Sequence, residues 1–296
     1  MKIGIVTVLN TIDGLTDGFV SCINAQRFRN FEIFLLENDG LNARREALIR
    51  SKLNVPFTLV RSPRNGNAAT AINLGIDHFL ADNSFTHILF LSNDAEVSPL
   101  FLDRYSNIMR ANSKVDVLAA KILHPSRAGK ILYAGGKLSY VKGGFKYFDR
   151  KKIEKVLSRT LSRVTYAPNS SLMIKAWLLK DSGVRMWDEL FICHDNTIFC
   201  HELQQAGFRM YVTPKIEVNC RPFSIDGKTI PEESRYYTTR NWLYWGIRRR
   251  NFAVLTSALF LFAFYTAVRN TVEREAMADA FRMTRSAKTM LSRAQV

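Results

Sequence analysis

"HILFLSNDAEV", His87 to Val97, is the stretch on which the reading of this chain turns. Its apolar run, Ile88-Leu89-Phe90-Leu91, is short and bounded, as in a strand buried on both faces. It stops at the polar triplet Ser92-Asn93-Asp94. Two explanations are open. Asn and Asp favour turns because their side chains hydrogen-bond nearby backbone. Alternatively, the triplet is a ligand site at the carboxyl end of a parallel strand.

The flanking sequence repeats the theme. Lys2 to Leu9 is apolar and β-branched, "FEIFLLEND" is a second strand and "FTLVRS" a third. Helical patterns fall between them near Gly18 to Arg27, Asn42 to Lys52 and Asn67 to Ala81, and another runs from Pro99 to Ala111. Strands alternating with helices predict a parallel sheet with crossover connections. The polar strand ends Asn10, Glu37-Asn38-Asp39 and Ser92-Asn93-Asp94 then converge on one sheet edge. From Val117 the strands shorten and glycines appear. Lys142 to Arg163 is strongly basic, a loop or exposed helix. "SSLMIKAWLL" reads as a strand running into a helix. Beyond Trp187 come a turn, a polar cluster, a helix that Gly207 stops and a short strand.

Composition bounds the partners. At 296 residues, 47% hydrophobic and 23% charged, the chain has the makeup of a folded globular protein, not a disordered one. Forty-two Lys and Arg against 26 Asp and Glu give a net charge of +16, which suits nucleic acid, an anionic membrane surface or phosphorylated substrates. No nucleic-acid-binding motif accompanies the charge. The cysteines, Cys22, Cys193, Cys200 and Cys220, form no disulfide framework, so a reducing compartment is expected. The N-terminus lacks signal-peptide form and reads as a first strand.

The last segment differs in kind. "YYTTRNWLYWGIRRRNFAVLTSALFLFAFYTAVRN" joins aromatics and an Arg cluster to an apolar run of about 17 residues, Phe252 to Val268, at the low edge for spanning a bilayer. Arg248, Arg249, Arg250 and Arg269 flank it, and a mainly basic amphipathic tail follows. It reads as a membrane-surface module. The competing reading is a helix packed on the main domain or a homodimer seam.

Several blocks give a more specific signal together than alone. They are "VTVLN", "NFEIFLLEND", "NGNAATAINLGI", "FLSNDAEV", "WDELFICHDNTIFCHELQQAGFRMYVTP" and "YYTTRNWLY". In this order they resemble the family 2 glycosyltransferases, and among them the bacterial rhamnosyltransferase-like members. The resemblance covers roughly residues 1 to 250. It implies an α/β fold of the GT-A kind, Rossmann-like, with a mostly parallel central sheet and flanking helices. The expected domains are a glycosyltransferase domain over 1–225 and a C-terminal helical, membrane-associating region over 226–296.

The resemblance also implies roles. "NGNAATAINLGI" matches the pattern N-x-G-x-A-x-x-x-N-x-G at Asn65, Ala69, Asn73 and Gly75, with Asn67 where glycine is usual. Thr7, Leu9, Glu37, Asn65, Asn73, Ser92 and Asn93 are expected at the nucleotide-sugar donor, Glu37 at the acidic position that contacts the nucleoside. Asp94 is expected to hold Mg²⁺ or Mn²⁺, oxygen-loving cations that stabilise a departing diphosphate. Asp195 is expected to be the general base. Asn196 and Ile198 stand where the family has further acids, and Cys220 where it often has a metal-ligating His, for which His194 is an alternative. Asp188-Glu189 matches an "FDE" turn, a cap or an acceptor contact.

The implied activity is inverting transfer of a sugar from a UDP- or dTDP-sugar to a hydroxyl of a lipid-linked cell-surface glycan, at the inner face of a membrane. The alternative is a catalytically weakened scaffold of the same fold.

Overall fold

The computed structural model describes residues 1–9, 16–37, 43–61, 67–127, 129–139, 144–190, 192–220, 232–267 and 271–293. Its first half runs β1 (Ile3–Leu9), α1 (Asp17–Asn24), β2 (Phe31–Glu37), α2 (Ala43–Lys52), β3 (Phe57–Arg61), α3 (Ala68–Ala81), β4 (His87–Leu91), β5 (Glu96–Val97) and α4 (Phe101–Ala111). Then come β6 (Val117–Leu123), β7 (Ile131–Tyr133), β8 (Gly136–Ser139), β9 (Gly144–Tyr147), α5 (Arg150–Leu157), β10 (Ser162–Arg163) and β11 (Ser171–Lys175). The chain continues through α6 (Ala176–Ser182), α7 (Asp195–Gln205), β12 (Met210–Asn219), α8 (Glu232–Arg248), α9 (Phe252–Ala267) and α10 (Thr271–Arg293).

The expected parallel unit is present. Strands β4, β1, β2 and β3 lie side by side in that order, all parallel. The chain winds outward from β1 through β2 to β3, then returns to place β4 on the other side of β1. That reversal opens a crevice beyond the carboxyl ends of β1 and β4, where open α/β sheets bind ligands. The main sheet continues past β4 through β11, β6, β12 and β10. β11 is antiparallel to both β4 and β6, while β12 is parallel to β6.

Helix α3 packs against β1 at very short range. A Cβ on Gly4 would lie 2.4 Å from the ring of Phe79, and one on Gly75 2.6 Å from a Val6 methyl. The glycines thus bring helix and strand backbones together, with Phe79 fully buried between. The basic stretch from Lys142 resolves, where described, into β9, α5 and β10. Asp149 caps α5, and Arg150, Lys151, Lys152 and Lys155 face solvent.

The C-terminal helices answer the two readings of that segment differently. α8 is part of the folded body: Trp242, Leu243, Tyr244 and Trp245 form a second core with Leu190, Ile198, Val254, Met277 and Ala280. α10 lies along α8, and Arg235 of α8 donates to the nearly buried Glu273 of α10 at 2.9 Å. α9 is different. Val254 packs into this core, but Phe252 and Phe260 are 79% and 75% exposed. Its 16 residues reach about 24 Å at 1.5 Å per residue, short of a hydrocarbon core of about 30 Å. Among the described residues no helix is long and apolar enough to cross a membrane. The expected boundary near 225, and Arg269, lie outside the described residues.

If the α3–β1 approach requires glycine, Gly4→Ala should cost about 1–3 kcal/mol, the usual penalty of overpacking a closed core. A urea titration showing an unchanged midpoint would mean that Phe79 has room to move.

Candidate active site

The site is assembled at the carboxyl edge of the parallel strands. Register places Leu9, Glu37 and Arg61 abreast at the ends of β1, β2 and β3. Leu9 and Glu37 are buried. Thr7 is fully buried one pleat back, and its hydroxyl has no hydrogen-bond partner among the described residues. A bare buried hydroxyl costs about 1–3 kcal/mol. Asn10, Asn38, Asp39 and Asn65 lie outside the described residues.

Next to them is the turn with which β4 ends. The Ser92 hydroxyl donates to Asp94 Oδ1 at 2.5 Å, and the Ala95 N–H donates to the Ser92 carbonyl at 3.1 Å, closing the turn. The Thr16 hydroxyl reaches the Asn93 carbonyl at 3.4 Å. Both explanations of the triplet therefore survive: it is a hydrogen-bonded turn, and it leaves the Asp94 carboxylate half-buried at the crevice. β5 pairs with the end of β12, Val97 against Val218 and Glu96 against Asn219, which brings Cys220 beside Asp94. Burial pushes the Cys220 thiol up to about 12, the Asp94 charge adding to the shift and a hydrogen bond with Ser170 opposing it. A protonated, soft sulfur is a poor ligand for a hard cation. Among the described residues no three acids, histidines or cysteines cluster as a metal site. The residues present suit Mg²⁺ or Mn²⁺ if Asp94 supplies one carboxylate oxygen and the remaining positions go to phosphate oxygens and water.

Because β11 runs antiparallel to β4, its beginning meets β4's end. The Ser92 N–H donates to the Ser170 carbonyl at 3.1 Å. A few residues earlier, the Ala167 carbonyl accepts from Asn196 Nδ2 at 2.8 Å and from the Cys200 thiol at 3.4 Å. The 167–170 segment thus ties the Asp94 turn to the first turn of α7, which begins with Asp195. Asn196, where the family has an acid, serves as this tie. Ile198 is part of the second core, with Trp242 and Trp245 of α8.

Asp195 stands on an unusual backbone. Cys193 and His194, immediately before it, have φ of 63° and 62°. Left-handed conformations in residues other than glycine cost about 1–2 kcal/mol each and mark sites where the surroundings hold the chain. The holder here is Asn241 of "YYTTRN". Fully buried on α8, it donates to the carbonyls of Ile192 at 2.6 Å and Cys193 at 3.0 Å. Trp242 packs against the His194 ring at 5.1 Å. Among the described residues neither ring nitrogen of His194 has a hydrogen-bond partner, and burial lowers its pKa to about 4. It is therefore neutral at pH 7. Surrounding protein raises the Asp195 carboxyl above the usual carboxylate value, against the opposing pull of its own N–H and that of Asn196.

Helix α3 positions the remaining wall. Asn67 caps it, accepting from the Thr70 N–H at 2.9 Å, and donates to the Asp188 carbonyl at 2.5 Å. Asn73 donates to the Met186 carbonyl at 2.8 Å and accepts from its N–H at 2.9 Å. Asn73, expected at the donor, is thus engaged at both ends of its amide with the loop before Asp195. Glu189 pairs with Arg248, whose guanidinium lies 4.7 Å from the Trp187 ring. His201 packs edge-on against Trp245 at 4.7 Å. Reading the sequence did not assign parts to Ser170 or Asn241. The motif around Asn241 was visible, but the carbonyls it binds are about fifty residues away.

Comparison with known proteins agrees with this architecture. The family model Glycosyl transferase family 2 matches residues 5–162. Among solved structures, S. aureus TarS 1–349 in complex with UDP-GlcNAc superposes with a TM-score of 0.58 at 14% identity, over 95% of this chain and 79% of that one. GalNAc-T7 with UDP, GalNAc and Mn²⁺ superposes with a TM-score of 0.61 at 14% identity, over 83% of this chain and 47% of that one. The match to TarS 1–349 with UDP spans 64% of that chain, and the match to the longer TarS structure 44%. At such identities these likenesses establish the fold. No curated protein matches the chain by sequence.

Thr7→Val keeps the shape of the side chain and removes the bare hydroxyl. The ligand-free variant should be as stable as the parent, or more stable by up to about 1–3 kcal/mol. A lowered denaturation midpoint would mean that the hydroxyl is already satisfied.

Proposed function

This chain belongs to glycosyl transferase family 2, and from that premise we propose that it is an inverting enzyme that moves a sugar from a UDP- or dTDP-sugar to a glycan hydroxyl. The observation that carries the proposal is the tie through residues 167–170. It links the turn that ends β4 and carries Asp94 to the first turn of α7, which carries a second carboxylate of raised pKa, Asp195.

In this reading the nucleoside lies against Thr7, Leu9 and Glu37, and the diphosphate lies at Ser92-Asn93-Asp94. Asp94 would hold Mg²⁺ or Mn²⁺, which stabilises the charge on the departing diphosphate. Asp195 takes the proton of the acceptor hydroxyl. The acceptor oxygen bonds to the anomeric carbon as the bond from that carbon to the diphosphate oxygen breaks. One displacement inverts the centre and needs no enzyme nucleophile. TarS with UDP-GlcNAc and GalNAc-T7 with UDP and Mn²⁺ share the fold, which supports this class of donor and cation.

The acceptor we infer is lipid-linked, with the chain peripheral at the inner face of a membrane. The exposed phenylalanines of α9, the adjacent Arg250 and the net charge of +16 support this. Basic residues near an anionic surface contribute about 1 kcal/mol each. A second reading, a catalytically weakened scaffold, draws on Ile198 being built into the core and Cys220 being a buried neutral thiol.

Release of UDP or dTDP from a panel of nucleotide sugars separates the two readings. Cation-dependent release from one donor, abolished by EDTA and lost in Asp94→Ala and Asp195→Asn, is expected of the enzyme. Cation-dependent nucleotide binding without release, even when glycan acceptors are supplied, would leave the scaffold. No nucleotide binding at all would remove Asp94 from the diphosphate.

The pH dependence has a definite sign. Asp195 acts as a base only when ionised, and its pKa is raised, so kcat/KM should fall on acidification at a pH above the free Asp value of about 3.9. An acid limb at or below that value would exclude Asp195 as the base.

For the membrane, Phe252→Glu with Phe260→Glu should abolish co-sedimentation with phosphatidylglycerol vesicles without lowering thermal stability. Retained binding would place the contact elsewhere.

A further inference from the structure

We propose that Asn241 is the positioning residue for the Asp195 base: from α8 it holds the left-handed turn that presents the carboxylate. The inference rests on Asp195 serving as the base and adds to it a residue with no expected contact to either substrate.

The argument begins with the backbone. Two consecutive residues with side chains, Cys193 and His194, sit in the left-handed region immediately before α7. His194 occupies the N-cap position but makes no side-chain capping bond. Its carbonyl accepts from the Ile198 N–H at 2.8 Å, so the direction of α7's first turn follows from the His194 conformation. Neither residue is a glycine, which would take that conformation at no steric cost. The restraint comes from outside.

Gly144 of β9 backs the His194 ring, and the hydrogen bonds to this turn come from one face of α8. Asn241 Nδ2 has two N–H groups, and it bonds the carbonyls of Ile192 and Cys193. Its Oδ1 accepts from Arg240 Nε at 2.9 Å. Every polar group of the amide is therefore engaged, and with the side chain fully buried its orientation is fixed. Two turns earlier the Ser234 carbonyl accepts from the Cys193 thiol at 3.8 Å, and one residue later Trp242 covers the His194 ring. Residues 192, 193 and 194 are each held from α8. Releasing the amide lets the pair relax to right-handed backbone, swinging the half-buried Asp195 further toward water. A loss of enclosure returns a carboxyl toward its ordinary pKa, which gives the proposal a readout independent of turnover.

The test uses the full chain with Asn241→Leu, which keeps the bulk and removes the donors. Three quantities are measured: kcat for donor turnover, nucleotide affinity, and the Asp195 titration followed by carboxyl ¹³C NMR. We expect kcat to fall by about 10- to 100-fold, the scale of a misplacement near 1 Å. Nucleotide affinity should be unchanged, and Asp195 should titrate lower than in the parent. Adding Cys193→Gly, which accepts the left-handed conformation at no steric cost, should restore most of the kcat and the original titration.

An unchanged Asp195 titration in Asn241→Leu overturns the proposal. So does a kcat loss matched by an equal loss of nucleotide affinity, or one that Cys193→Gly does not relieve, since either points to general damage. If the parent chain turns over no donor, the titration alone decides: a shift upholds the positioning role while the reading of the function fails. Should Asn241→Leu not fold, Asn241→Ser, smaller and with one donor, carries the same three measurements.

Discussion

Strand β11 runs against both its neighbours, and the arrangement of the site depends on that reversal. A parallel strand beside β4 would have carried its beginning to the opposite edge of the sheet, away from Asp94. Running backwards, β11 starts where β4 stops, and the Ser170 carbonyl meets the Ser92 N–H there. The three residues before Ser170 then reach the first turn of α7. One change of strand direction thus links the turn that carries Asp94, through residues 167–170, to the helix start that carries Asp195, about a hundred residues away in sequence. The antiparallel pairing of β5 with the end of β12 completes the edge and seats Cys220 beside Asp94.

Much of this was legible in the chain. The fully buried strands β1, β2 and β4 announced themselves as continuous apolar runs, because a strand covered on both faces has no polar side to show. The ends of those runs marked the edge where ligands bind. The direction of β11 was not legible: "SLMIK" reads the same whichever way the strand runs. Nor was the use made of the asparagines. Asn73 and Asn241 are recognisable as motif residues, but an amide that bonds a distant carbonyl leaves no trace in local spacing. The tail divided along physical lines. Trp242 and Trp245, in the segment that reads as a membrane-surface module, are core residues, whereas Phe252 and Phe260 face outward.

The departures from the family pattern are not scattered losses. Asn196, in place of an acid, bonds the Ala167 carbonyl, a bond that a carboxylate, having no N–H, could not donate. Ile198 fills the space under Trp245. Asn67, in place of glycine, both caps α3 and reaches across to Asp188. Each replacement is engaged with the protein itself, which is how a site keeps its shape after giving up charged residues.

The asparagines of α3 grip the loop from Met186 to Leu190 by main-chain atoms alone: the carbonyl and N–H of Met186 and the carbonyls of Asp188 and Leu190. A grip on the main chain is indifferent to which side chains the loop carries. The exposed Asp188 can therefore be exchanged in evolution, or by an engineer, while the path of the loop is preserved. The loop is in this sense an interchangeable part on a fixed mount, whose exposed side chains can change without the fold being solved again.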